Sequence, residues 1–455
     1  MAELHVAIIG GGAAGTLLAL HLCRYPNVAV TILDRNNAFG RGVAYSAQCR
    51  AHRLNVPAIK MGGWNDEDHD ELLKWLSRTT GKPLDVVAAQ FIQRSTYGDW
   101  LATKLHEQSR SGRVRLIDQE AVDISACHGA HLIHLASGDL IEADAAVLCT
   151  GNSTVRSMGP RSDHPRHIAK VWEPGALESI PCSDAVMIVG SGASGVDAVV
   201  ELLEMGHQGK IVLLSRRGLL PQPEALSQPY PNLEPIEAPK NLRTLLSLVR
   251  RHVARAEQLG HPWQSVIDAL LPRVDAIWAD LPLRAREQFL RHVRPYWMAF
   301  RHRADPALLS RLESAQMKGQ LERIAGRIRH IAERARGFDL DISLRGGEQK
   351  TYTTDWLLTA VGPEERLSRL DSRLVKRLID RNWAVPGPMG LGFAVSEDGR
   401  LISNDDNDSE LRLYALGLPT RGTFWEVSSV PAIRSRAMKM AQTLAALHST
   451  TSYIH

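Results

Sequence analysis

Glycines at positions 10, 12 and 15, with an aspartate at 34, are the first residues whose types and spacing could do chemistry. Gly10, Gly12 and Gly15 fill a G-x-G-x-x-G pattern. The first glycine permits a tight turn, the second lets backbone approach a pyrophosphate, and the third lets a helix pack on a strand. Asp34 lies 34 − 15 = 19 residues beyond the last glycine, close to the ~20 at which an acid reaches a ribose hydroxyl. The pattern returns at Gly190, Gly192 and Gly195. There the matching distance, 215 − 195 = 20, brings Ser215 followed by Arg216 and Arg217. That is the arrangement expected where a guanidinium meets a 2′-phosphate. The first site is read as taking a ribose hydroxyl; the second tolerates phosphate, which favours NADPH over NADH there.

The elements that must position these glycines can be read around them. "HVAIIGGGAAGTLLALHL" is a strand, a turn and a helix, followed by the strand "VAVTILD"; "DAVMIVGSGASGVDAVVELLEMG" and "KIVLLSRR" repeat the unit. Each half closes alike: a hairpin feeds a buried strand into Thr150-Gly151 in one half and into Ala360-Val361-Gly362 in the other. The expected fold is α/β, with two Rossmann-type dinucleotide-binding domains. An FAD-binding domain is expected over 1–180 and 360–455, and an NAD(P)-binding domain over 181–359. A second glycine stretch, "FGRGVAYS" at 39–46, suits an extended FAD: Gly40 and Gly42 let backbone come close, and Arg41 is available to a phosphate.

From about 219 to 324 the chain leaves this grammar. A proline-rich connector precedes apolar residues at i, i+3 and i+4, the mark of a helical insertion. Its end clusters Arg294, Trp297, Arg301, His302 and Arg303. Near the C-terminus a strand ends on Gly417, a loop carries Arg421 and Gly422, and a helix starts near Val430 with Pro431 in its first turn. A helix N-terminus beside a flavin ring would stabilise negative charge on the reduced ring, with Trp425 and Glu426 at that corner.

Composition limits the alternatives. With 455 residues, 44% of them hydrophobic, the chain can bury a large core. A formal net charge of +4, spread along amphipathic segments, gives no footing for nucleic acid. The five cysteines are far apart with no CxxC pair, which argues against a disulfide framework, a zinc site and a dithiol centre. Neither a signal-type segment nor an apolar run of membrane-spanning length is present, so a cytoplasmic location is expected. Oligomeric state is not written in these features.

"GGGAAG", "GRGVAYS", "HRLNVPA", "VGSGASG", "MAFRHRADP" and "LGLPTRGTFWEVSSVPAIR" together resemble, from end to end, the bacterial FAD/NAD(P)-binding family that includes the HpyO-type FAD-dependent urate hydroxylases. The resemblance implies an NAD(P)H-consuming monooxygenase that hydroxylates urate to 5-hydroxyisourate with dioxygen, through a flavin C4a-hydroperoxide. Asn55 and Gly151 then join the cofactor-binding residues. Arg301, Arg303 and Arg421 become contacts for the anion, Trp297 and Trp425 stacking walls, and Glu426 or His302 the proton acceptor. Urate hydroxylases of this type use NADH, whereas Arg216 and Arg217 favour NADPH. More distantly, the duplicated fold is similar to that of flavin N-hydroxylases of amines and amino acids and of Baeyer–Villiger monooxygenases. An amine N-hydroxylase is therefore one alternative, and a non-oxygenating electron-transfer flavoprotein another; the basic stretch 291–303 favours an anionic substrate.

Overall fold

The computed structural model describes residues 3–451 apart from 47–48, 50, 66, 152–155, 157–161, 232, 234–240 and 405–410. The second half of the proline-rich connector thus lies outside the described residues. The strands Leu4–Ile9 and Val28–Leu33 are apolar almost throughout, the pattern of parallel strands covered on both faces. They pair in parallel register, Val6 opposite Val30 and Ile8 opposite Ile32. A five-stranded sheet results, in the order Leu413–Ala415, Ala145–Leu148, Leu4–Ile9, Val28–Leu33, Val114–Ile117. The C-terminal strand therefore completes the N-terminal sheet. One face is covered by the helices Ala13–Leu22, Arg94–Arg110 and Val430–Thr451. The other carries a three-stranded antiparallel sheet over 121–143 and the helix Arg373–Asp380.

The second sheet has seven strands. In order they are Gln349–Thr354, Gly337–Leu344, Leu321–Arg334, Ile211–Ser215, Val186–Val189, Trp356–Thr359 and His167–Ile168. Because His167–Ile168 pairs with Trp356–Thr359, the chain enters this sheet before residue 181. Leu321–Arg334 is long and shifts register between Ile328 and His330. This irregularity lets the hairpin fold back so that Phe338, Leu340 and Ile342 cover Met187, Val212 and Leu214. The opposite face takes the helices Ala193–Glu204 and Pro306–Met317.

The insertion fills the connection between two neighbouring parallel strands, Ile211–Ser215 and Leu321–Arg334. Pro306–Met317 serves as the crossover helix; the helices from Leu242 to Arg301 are extra. A π-helical turn, Phe289–Val293, precedes Arg294-Pro295, where proline has no N–H to give the helix. The neck of the insertion is zipped by backbone: Gln222 N donates to Ala299 O (2.9 Å), Ala304 N to Gln222 O (2.9 Å) and Glu224 N to Ala304 O (3.0 Å). Among the described residues no helix is long and apolar enough to cross a membrane.

Candidate active site

The two glycine turns are near copies of each other. Gly10 has φ +114° and Gly190 φ +116°, a region that side chains other than glycine rarely adopt. A Cβ at Gly15 would run into the Gly10 carbonyl oxygen, and one at Gly195 into that of Gly190. The helices begin at Gly12 (φ −71°, ψ −169°) and Gly192 (φ −78°, ψ −167°), and neither has an acid in its first turn. Both positive helix ends are left for an anion. The space each ligand needs is also present: a Cβ on Gly151, Gly192 or Gly362 would meet nothing within 4 Å.

The second glycine loop buttresses the first. Gly40 N donates to Gly11 O (2.8 Å), and Gly42, at φ +54°, comes so close that a Cβ there would stand 2.9 Å from Gly12 Cα. Asp34 ties both loops, accepting from Gly11 N (2.9 Å) on one oxygen and from Asn36 N (3.0 Å) and Ala38 N (3.3 Å) on the other. A carboxylate has lone pairs to spare for a ribose hydroxyl. Arg41 departs from expectation: its Nε and Nη2 are engaged by Asp99 Oδ1 at 3.0 and 2.8 Å. The pair is partly exposed, so it contributes about 0–1 kcal/mol and does not hold the guanidinium out for phosphate. Asn55 is half-buried, two residues past the Arg53–Gln93 bridge. Gly417, at φ +79°, lies against Ala14 in the first turn of the first helix.

At the second turn Ser215 takes the place of Asp34, sharing a hydrogen bond with Ser191 (2.7 Å) and accepting from Gly218 N (2.9 Å). Arg216 is exposed. Its pKa is pressed below the usual arginine value by desolvation and then by Arg156, Arg327, Arg217 and Arg294. Among the described residues it has no carboxylate partner. Arg217 donates to the Tyr296 hydroxyl (3.1 Å) and its guanidinium stands 4.9 Å from the ring centroid. This unbalanced group of guanidiniums is the electrostatic complement of a phosphate.

Where the insertion meets the C-terminal loop, the expected anion contacts prove to be internally paired. Arg301 is bidentate on Glu426, with Nη2–Oε1 2.9 Å and Nε–Oε2 3.3 Å, and both are buried. Arg303 sits between Glu224 (3.2 Å) and Asp268, which also hold Lys60 at 3.1 and 2.8 Å. Arg421 reaches Glu365 (3.4 Å) and donates to Trp425 O (2.6 Å). Glu365 is shared with Arg294 (2.6 Å) and Arg156 (3.3 Å). Burial would raise its pKa, but the three guanidiniums outweigh burial and hold it below the usual carboxylate range.

Two further expectations change. Trp425 is 2% exposed, packed on Trp278 (4.7 Å) and Phe289 (5.0 Å) beneath Arg294 and Arg421. It fastens the insertion to the loop and offers no open wall to a ligand; Trp297 packs partly buried against the same cluster. His302 has its pKa pushed down to about 3, first by burial and then by Arg301, Arg421, Arg294 and Arg303. It is a neutral imidazole near neutrality and a poor proton acceptor. Glu426 has both oxygens on Arg301 and its N–H, like that of Trp425, on Asp275 (2.8 Å each).

The residues missed from the sequence are the acids that pair these arginines, Glu224, Asp268 and Glu365, with Lys60, which shares the first two, and Asp275, which holds the loop and accepts from Arg436 (2.6 Å). Only Glu365 had a local signal, an acidic pair just after the strand-closing Gly362.

Comparison with known proteins agrees with this geometry. Residues 7–153 match the family described as FAD-NAD(P)-binding, so the N-terminal unit is an FAD-NAD(P)-binding domain. The FAD-dependent monooxygenase eupB of Phoma sp is 26% identical over 213 residues, covering 42% of this chain and 47% of that protein. The chain thus spans about half the length of that relative. Among solved structures, the ornithine N-hydroxylase of Kutzneria sp. 744, with reduced FAD, NADP+ and L-ornithine, superimposes at TM-score 0.69 and 14% identity, covering 98% of this chain and 100% of that one. The FAD-bound cadaverine monooxygenase of Erwinia amylovora gives 0.70 and 14%, covering 98% and 95%. These likenesses show a shared α/β fold with two Rossmann-type domains, and the family match names FAD and NAD(P) as the groups bound.

Proposed function

We propose that this protein is an FAD-dependent, NADPH-consuming monooxygenase that hydroxylates the nitrogen of a small amine. The observation that carries the choice of substrate is the internal pairing of Arg301, Arg303 and Arg421 with Glu426, Glu224, Asp268 and Glu365. Each of the three guanidiniums named as anion ligands already faces a carboxylate, while Nε and Nη1 of Arg303 and Nε of Arg421 make no hydrogen bond among the described residues. The carboxylates of Glu224 and Asp268 already gather one ammonium, that of Lys60. The end-to-end fold match to ornithine and cadaverine hydroxylases supports the same reading.

Bound FAD, reduced by the nicotinamide, supplies the activation of dioxygen. The chain's own residues do the rest. The helix starting at Gly12 takes the FAD pyrophosphate, and the one starting at Gly192 that of the nicotinamide nucleotide; Arg216 and Arg217 take the 2′-phosphate. The insertion, fastened at Trp425, excludes water from the junction of the domains. A nitrogen must be neutral to be hydroxylated. The surroundings that keep His302 unprotonated would keep an amine placed there unprotonated as well.

Urate is the second reading. The guanidinium field around His302 favours an anion, yet burial is the larger cause of the His302 shift, and burial penalises an anion as it does a cation. The test is air oxidation of NADPH and of NADH by FAD-loaded protein with L-ornithine, L-lysine, cadaverine or urate, with hydroxylamine product and the ultraviolet band of urate followed together. Hydroxylamine formed in step with NADPH consumption is expected. Loss of urate in step would move the assignment to urate hydroxylation. Peroxide release with every substrate and no oxygenated product would count against both.

A further inference from the structure

The arginine clusters and the glycine turns leave one group of ligand-bearing side chains unexplained. Cys49 and Ala51 of the first unit pack into the core of the second, beside the helix Ala193–Glu204. Here Cys49, His52 and Glu201 converge, with Sγ, a ring nitrogen and a carboxylate oxygen all within 4.8 Å of one another. His52 is buried, and its Nε2 stands 3.0 Å from Glu201 Oε2. The contact lacks the alignment of a hydrogen bond.

A buried imidazole nitrogen and a carboxylate oxygen this close, with no proton in line between them, are placed as two ligands of one cation are. Ligands ~2.0 Å from a tetrahedral ion stand roughly 3.3 Å apart. Cys49 adds a soft donor, its Sγ within 4.8 Å of the other two ligand atoms. Among the described residues, Arg94 is spent on Asp197 (2.8 Å), and Arg311 on Glu204. Thiolate, imidazole and carboxylate together select a borderline-soft divalent ion over magnesium or calcium.

We propose that Cys49, His52 and Glu201 form a binding site for a zinc-class divalent cation, which ties the segment before the FAD unit's "LNVPA" loop to the first helix of the second unit. Water takes the remaining coordination position. The sequence argued against zinc because its cysteines are isolated; the ligands come instead from two elements about 150 residues apart, one of them a glutamate.

The test uses the full FAD-loaded chain, stripped with a chelator and titrated with Zn2+ and, separately, Co2+. Expected are one equivalent bound per chain, a raised unfolding temperature, and with Co2+ the visible bands of a tetrahedral ion carrying a thiolate. Cys49→Ser and Glu201→Gln should each weaken binding about tenfold or more while keeping the flavin spectrum. Cys182→Ser, at an exposed cysteine, should bind like the parent. Independently of any variant, Zn2+ should protect Cys49 but not Cys182 from alkylation, read by mass spectrometry. Unchanged affinity in both ligand variants, or alkylation of Cys49 at the same rate with zinc as without, would overturn the proposal. None of these readouts depends on which substrate is hydroxylated.

Discussion

Replacing Arg216 by alanine should raise the KM for NADPH about tenfold and leave that for NADH unchanged. A hydrogen bond to a charged group contributes about 1.5–3 kcal/mol. The lower figure applies because Arg216 is exposed, and about 1.4 kcal/mol is a factor of ten. Arg217 is already oriented by Tyr296, so the double change should approach about a hundredfold by the same arithmetic. Removing Arg216 also relieves repulsion from Arg156, Arg327, Arg217 and Arg294. The variant should therefore be no less stable than the parent, and its loss is one of recognition alone. The assay is initial-rate oxidation of both nucleotides at two ionic strengths. Salt should weaken NADPH in the parent and do so less in the variant. Equal changes for NADPH and NADH, or no change for either, would refute the reasoning from Ser215, Arg216 and Arg217.

Other predictions follow from the same geometry. Gly192→Ala should fold and hold FAD normally, since its Cβ meets nothing within 4 Å, yet bind nicotinamide nucleotide more weakly; Gly195→Ala, blocked by the Gly190 carbonyl, should instead lower the yield of folded protein. Gly12→Val should purify without yellow colour, a result read directly from the flavin spectrum. Glu365→Gln leaves the guanidiniums of Arg156, Arg294 and Arg421 short of their shared carboxylate, and should cost about 3–5 kcal/mol in urea unfolding. His131, whose pKa burial pushes down from 6.5 to about 4, is neutral in the fold. Its contribution is present above pH 6.5 and lost as pH falls toward 4, at most about 3 kcal/mol over 6.5 − 4 = 2.5 units. His131→Gln should flatten that limb of the stability profile, and an unaltered limb would assign the loss elsewhere.

The glycine turns, the repeat of the βαβ unit and the helical insertion were legible because their physics is local: a positive φ, a close backbone approach, a periodic apolar face. Even the C-terminal return into the first sheet could be anticipated from the strand ending on Gly417. The chemistry of the junction was not legible in this way. Arg301 meets Glu426, 125 residues on, and Arg303 finds its acids at 224 and 268; no spacing rule links such positions. Reading "RHRAD" as an anion site took the basic residues at face value, whereas burial demands a counter-charge for each. Trp425 was misread for the same reason, since its stacking partners Trp278 and Phe289 come from the insertion.

The zipped neck at 222–224 and 299–304 also bears on how such a protein can change. Entry and exit of the cap stand side by side, and the crossover helix that the sheet needs begins only at Pro306. The 74 residues between them, 225–298, are therefore an exchangeable module, hung at the carboxyl end of a parallel strand where ligands of open α/β sheets bind. Substrate preference could drift or be transplanted by swapping this cap, with Tyr296, which orients Arg217, and Asp275, which holds the C-terminal loop, kept in place.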